Sequence, residues 1–246
     1  MRFVLLLLAA CHASPDPKEL FTAIRARDAA RVGAILDASP SLASARDDGM
    51  SAVLAALFTL NPDNETFVDP QHNPVLAAVA AHHPVLDIYD AIACGDDARA
   101  AALVTEEPAR ASAIHPALGM APIHVAAFAG RVDTLELLLA KGVAVDTPTT
   151  NKFHSTPLLH AALTKQLPAA RTLLDAGANV EASEEGGLRA LHLAAESGDL
   201  EMIRLLVEHH ATIDAKADDG STPAAVAAKK GRTPAVQLLT TSAAAR

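Results

Sequence analysis

Clusters of apolar residues recur along this chain at a fixed interval, with breaks at regular offsets between them. Leu135, Leu137, Leu138 and Leu139 form one cluster, Leu173 and Leu174 a second, and Ile203, Leu205, Leu206 and Val207 a third. Each gives a helix a wide apolar face. A shorter segment precedes each cluster or stands in the same register, opening on a Pro position and closing eight residues later: Pro122 to Gly130, Ala190 to Gly198, Pro223 to Gly231. Proline is pre-set for the first turn of a helix, and the Thr before it at 156 and 222 is able to cap. Glycine then lets the chain leave the helix through a left-handed conformation. A second break falls twenty residues after the Pro position, at Gly142 and Gly177. The pattern predicts a repeated unit of two helices followed by a loop.

Pro157, Ala190 and Pro223 are spaced by 33 residues, and Pro122 lies 35 residues before Pro157. A period near 33 marks a stacked repeat, in which no unit buries its apolar face alone. Ala121-Pro122-Ile123-His124-Val125-Ala126-Ala127-Phe128-Ala129-Gly130 and Arg189-Ala190-Leu191-His192-Leu193-Ala194-Ala195-Glu196-Ser197-Gly198 carry the same motif. Leu173-Leu174-Asp175-Ala176-Gly177-Ala178-Asn179-Val180-Glu181-Ala182 supplies a second one. With these motifs at constant spacing the chain resembles the ankyrin repeat. The resemblance implies an all-α solenoid with finger loops, a non-catalytic scaffold, and partner binding through the finger tips and the concave face of the first helices.

Upstream the pattern is weaker. Glu19 to Asp28 echoes Asp87 to Asp96 at a shift of 68 residues, and Pro40 and Pro108 keep that shift. Seven helix pairs are expected, beginning near Lys18, Asp48, Leu86, Gly119, Thr156, Leu188 and Ser221. The expected organisation is a leader and tether over 1–17, repeats over 18–241 and a short tail over 242–246. Lys165 and His210 stand at Gly positions, where strain or a reshaped turn is expected. The second pair carries an insertion from Asn61 to Asn73, read either as a functional lip or as a tolerated surface loop.

Of the 246 residues 50% are hydrophobic and only 3% aromatic, which suits close-packed helices. The net charge of −9 disfavours a polyanion, so a nucleic-acid partner is not expected. Eleven histidines invite a metal reading. His124 and His192, however, occupy the motif position that the resemblance assigns to hydrogen bonding between loops. The adjacent pairs His82-His83 and His209-His210 point about 100° apart on a helix and chelate poorly without a third ligand. No nucleophile elbow, phosphate loop or zinc-protease motif occurs, so neither a catalytic site nor a cofactor is expected.

The first residues have the order of an export signal: Arg2, an apolar run from Val4 to Ala10, then Cys11. The run is too short to cross a bilayer, which takes about 20 residues. Leu8-Ala9-Ala10-Cys11 resembles the bacterial lipobox, so a lipid anchor at Cys11 and an envelope location are expected. The other readings are a misplaced start and an apolar helix on a cytoplasmic protein. If Cys11 is lipidated, Cys94 is left unpaired as a small buried hydrophobe.

The finger from Thr147 to Ser155 is two residues longer than its neighbours and carries Asn151, Lys152, Phe153 and His154. Adjacent fingers would add Glu184, Glu185 and Leu188, then Asp218 and Asp219. An aromatic beside a cation and flanked by acids is hot-spot material. The expected protein contact set is therefore Phe128, Asn151, Lys152, Phe153, His154, Glu185, Leu188 and Asp219. The competing reading tucks Phe153 under its own loop. The function expected first is a protein-binding scaffold; the alternative is an envelope-tethered lipoprotein that protects or inhibits an exported partner.

Overall fold

A computed structural model of the protein describes residues 16–58, 72–82 and 86–244. The leader, Cys11, nearly all of the Asn61 to Asn73 insertion, His83 and the last two residues lie outside the described residues.

Helices arise where the sequence places its caps. The seven pairs are α1 (Pro17–Arg25) with α2 (Ala29–Ala38), α3 (Ala52–Leu57) with α4 (Pro74–Ala80), and α5 (Ile88–Cys94) with α6 (Asp97–Glu106). They continue as α7 (Pro122–Ala129) with α8 (Val132–Ala140), α9 (Pro157–Leu163) with α10 (Leu167–Asp175), α11 (Ala190–Ser197) with α12 (Leu200–Glu208), and α13 (Pro223–Lys229) with α14 (Thr233–Ala244). Proline opens α1, α4, α7, α9 and α13, where its missing N–H costs nothing. Carboxylates of Asp16, Asp28, Asp87, Asp96 and Asp199 accept from first-turn N–H groups, as the Thr222 hydroxyl does for α13. Thr156 departs from the expectation: its hydroxyl makes no cap bond and is buried without a partner.

The pairs stack in two rows. The first helices α1, α3, α5, α7, α9, α11 and α13 pack each on the next, forming an inner row. The second helices run beside them, α2 against α4 and then α6 through α14 in order. One apolar core runs continuously from Leu20 to Leu239. Among the described residues the architecture is an all-α solenoid of seven helix pairs, as the repeat period predicts. Sheet structure among the described residues is confined to the fingers. A ribbon of Arg46–Asp47 with Met50–Ser51 pairs Arg46 with Ser51, and a single bridge joins Ser183 and Arg189.

The 68-residue echo has a structural counterpart, since 3-10 turns occupy both Pro40–Ser44 and Pro108–Ser112. Lys165 and His210 adopt φ of +62° and +67°, the left-handed geometry of the glycines they replace. Such a residue carries about 1–2 kcal/mol of steric cost.

Candidate functional site

Main-chain hydrogen bonds join the fingers into a ladder. Thr150 N–H donates to Gly119 O at 2.7 Å, Glu185 N–H to Phe153 O at 2.9 Å, and Asp218 N–H to Gly186 O at 2.9 Å. Gly119 is required at its position: its φ is +66°, and a Cβ there would meet the Asn151 nitrogen at 2.7 Å. The motif histidines fasten the fingers to the helices. His124 Nδ1 accepts from Ala121 N–H, and its Nε2 donates to Thr147 O at 2.8 Å. His192 repeats this with Arg189 N–H and Ser221 O. A backbone N–H only donates and a carbonyl only accepts, so both tautomers follow from the partners. Tyr89 holds the equivalent place in α5, its hydroxyl donating to Ala113 O at 2.5 Å.

The enlarged finger is stiff. Asn151 Oδ1 accepts from the Thr149 hydroxyl and from Phe153 N–H, while Asn151 Nδ2 donates to Leu118 O at 2.9 Å. Thr149 Oγ1 in turn accepts from Ser155 N–H. His154 closes the turn at φ +52°. The Phe153 ring is thus displayed on a braced loop at 47% exposure, with the Lys152 ammonium 4.9 Å from its centroid.

Below that ring lies a cleft of about 280 Å³ on the inner face. Phe58, Met120, Phe128, Leu118 and Leu163 supply its apolar surface, with Phe153 at the mouth and Asn151, Ser155, His160 and Glu184 as its polar groups. Leu163, at the end of α9, is 37% exposed. Phe58 and Phe128 meet ring to ring at 4.7 Å. An apolar cavity with a few polar groups on its wall is the form of a recognition pocket.

Two of those polar groups are electrostatically unusual. Ser155 Oγ lies 3.1 Å from His160 Nε2, while His160 Nδ1 is buried without a partner. Burial, then His124, push the His160 imidazole down to about 3. With no acceptor orienting its second nitrogen and so low a basicity, His160 makes a poor general base for Ser155. Burial, then the neighbouring Glu196, push the Glu184 carboxyl up to about 7. Among the described residues no group of three or more His, Cys, Asp and Glu is placed to hold a metal ion.

The expected contact residues do not all gather at one place. Asn151 and Phe153 border the cleft, whereas Leu188 and Asp219 line a neighbouring depression with Glu196, Lys229 and Lys230. Lys152, His154 and Glu185 are exposed around the finger. Phe128 is core at 2% exposure and offers only the floor of the cleft, because α7 is sandwiched between α5 and α9. Asn151 braces the finger with its whole amide. Asp219 uses its carboxylate on Ser221 N–H at 2.8 Å. Phe153 is not tucked under its loop. Sequence reading missed Phe58, Leu118, Met120, His160 and Leu163 as cleft residues. His160 left a trace in the sequence: Leu159 holds the motif histidine's place in α9, which displaces the histidine by one residue onto the cleft side.

Stacked helix pairs, braced fingers and motif histidines define a repeat protein of the helical-solenoid class. The family model "Ankyrin repeats (3 copies)" matches residues 88–184 and 180–245, well over half of the chain, and this chain belongs to the ankyrin-repeat family. It is similar to Inversin of Danio rerio, 35% identical over 89 residues, 36% of this chain and 8% of that protein. It is also similar to the ankyrin repeat protein nuc-2 of Neurospora crassa, 31% identical over 124 residues, 50% of this chain and 11% of that one. A third relative, the B-cell lymphoma 3 protein homolog of Mus musculus, is 36% identical over 109 residues, 44% of this chain and 24% of its own. The chain thus spans less than a quarter of the length of these curated relatives.

Proposed function

We propose that the chain is a non-catalytic scaffold that holds another protein against its fingers and inner helix row, with the contact centred on the Phe153 cleft. One observation carries this reading: an aromatic ring stands 47% exposed on a loop whose side-chain and main-chain bonds leave it little freedom. A rigid aromatic anchor loses little entropy on binding, and this is what concentrates affinity in a few residues. The non-catalytic part rests on the Ser155–His160 pair, which lacks both a basic imidazole and an orienting third group. Pull-down from lysate with Phe153→Ala tests the site. Folding should be retained while capture of the partner falls; unchanged capture would remove the finger from the interface.

A second reading is favoured by residues 1–11: one cation, an apolar run and then Leu-Ala-Ala-Cys. It makes Cys11 a lipid attachment site and the repeats an envelope-tethered guard of an exported protein. Labelling with a radioactive fatty acid decides it. Label on the wild type that is lost in Cys11→Ser supports the anchor; label that survives this change, or never appears, ends it.

A further inference from the structure

The cleft under Phe153 has a wall that its volume does not explain. At about 280 Å³ it falls just short of the ~300 Å³ at which small-molecule sites begin. Its size suits one apolar side chain. Yet one carboxyl, that of Glu184, is the only acid lining it among the described residues. That carboxyl has neither an ion-pair partner nor a side-chain hydrogen bond within the described residues. The charged groups around it leave it uncompensated. Glu196 on α11 adds like charge and is itself held by Lys230 at 2.9 Å. Lys152 is engaged over the Phe153 ring. His160 on α9 stays neutral because burial depresses it so far. Glu185, next in the chain, is a further exposed acid. A desolvated carboxyl without a counter-ion, on a molecule of net charge −9, is half of an ion pair.

The geometry points to an extended partner segment that places an apolar side chain between Phe153 and Leu163 and a neighbouring arginine or lysine on Glu184. This deepens the scaffold reading and rests on it. The apolar side chain fills the cavity, and the cation supplies what the carboxyl lacks. The occupied site therefore holds Glu184 as a carboxylate, and binding near neutral pH releases a proton.

Selection of a random peptide library on the immobilised full chain at pH 8, followed by affinity measurement on the enriched peptides, tests this. Enriched peptides should pair an apolar residue with arginine or lysine within two positions. Their affinity should fall about ten-fold or more in Glu184→Gln, since the hydrogen bond to a charged group is lost. It should also fall from pH 8 to pH 6 in the wild type, with that pH dependence absent from Glu184→Gln. Enriched peptides without a cation, peptides binding Glu184→Gln equally well, or a selection that yields no binders would each overturn it. The two readings fail separately: capture unchanged in Phe153→Ala removes the scaffold site, whereas capture lost in Phe153→Ala but kept in Glu184→Gln leaves the scaffold standing and removes the cation.

Discussion

The carbonyl of Phe153 accepts the N–H of Glu185 at 2.9 Å, so the tip that displays the aromatic ring is bonded directly to the finger that carries the acids. Two consecutive repeats therefore present their side chains as one surface. Asn151 extends that bracing to a third finger through Leu118 O. The recognition surface is in this sense a property of the stack.

Replacing Asn151 with Ala removes the bonds to Thr149, Phe153 and Leu118 together. We expect a loss of about 1–3 kcal/mol, with helix content unchanged. Amide exchange should accelerate over residues 149–155 and at Glu185, while the core of α8 stays protected. Equal acceleration throughout would mean that the finger is not a separate element.

Leu138 and Leu163 are both leucines near a helix C-terminus with opposite fates. Leu138 is fully buried in α8, so Leu138→Asp places an uncompensated charge in the core and should abolish cooperative folding. Leu163→Asp lies at the cleft mouth, and should leave thermal unfolding near that of the wild type while weakening partner capture. Circular dichroism with a thermal scan separates the two.

At Lys165 and His210 the left-handed backbone is held by side chains that disfavour it. Lys165→Gly and His210→Gly should each stabilise the chain by about 0.5–1 kcal/mol, with the flexibility glycine adds to the unfolded chain offsetting part of the relief. Urea midpoints measure this. A drop for Lys165→Gly would show that its ammonium contact to Ser197 O outweighs the backbone term.

Stability should depend on pH through two opposed sets of groups. Burial holds His124, His160 and His192 below the ordinary histidine value, so the folded chain binds fewer protons than the unfolded one. Their contribution is present above about pH 6.5 and is lost as pH falls. Asp90, bonded to Ser51 Oγ in the core, is pushed by burial and then by Asp87 from 3.8 up to about 6. Its contribution is fullest below pH 4 and is lost as pH rises through 6. His160→Leu should flatten the acid side of a urea-midpoint profile between pH 4 and 6. Asp90→Asn keeps an acceptor for Ser51 and should flatten the region from pH 4 to 7, by up to about 3 kcal/mol. Profiles unchanged in both variants would contradict these assignments.

The stack was legible in the sequence because each unit repeats the same physical instructions. Pro122, Pro157 and Pro223 start helices, Gly130 and Gly198 end them, and the 33-residue interval returns the apolar face to one side. The cleft was harder to read. Phe58, Leu118 and the α9 pair His160 and Leu163 come from three separate segments and meet only when the inner row is assembled. The burial of Phe128 was hidden for a related reason: its side of α7 looks outward in isolation and is covered once α5 and α9 flank it. The finger acids could be named in advance, but not which of them would be drawn into the cleft wall.

Photocrosslinking tests the central claim most directly. With p-benzoylphenylalanine placed at Leu163 on the cleft, or at Arg204 on the outer row, irradiation in cells should join the partner from position 163 and leave position 204 unlinked. Crosslinks to the partner from 204 and none from 163 would contradict the account.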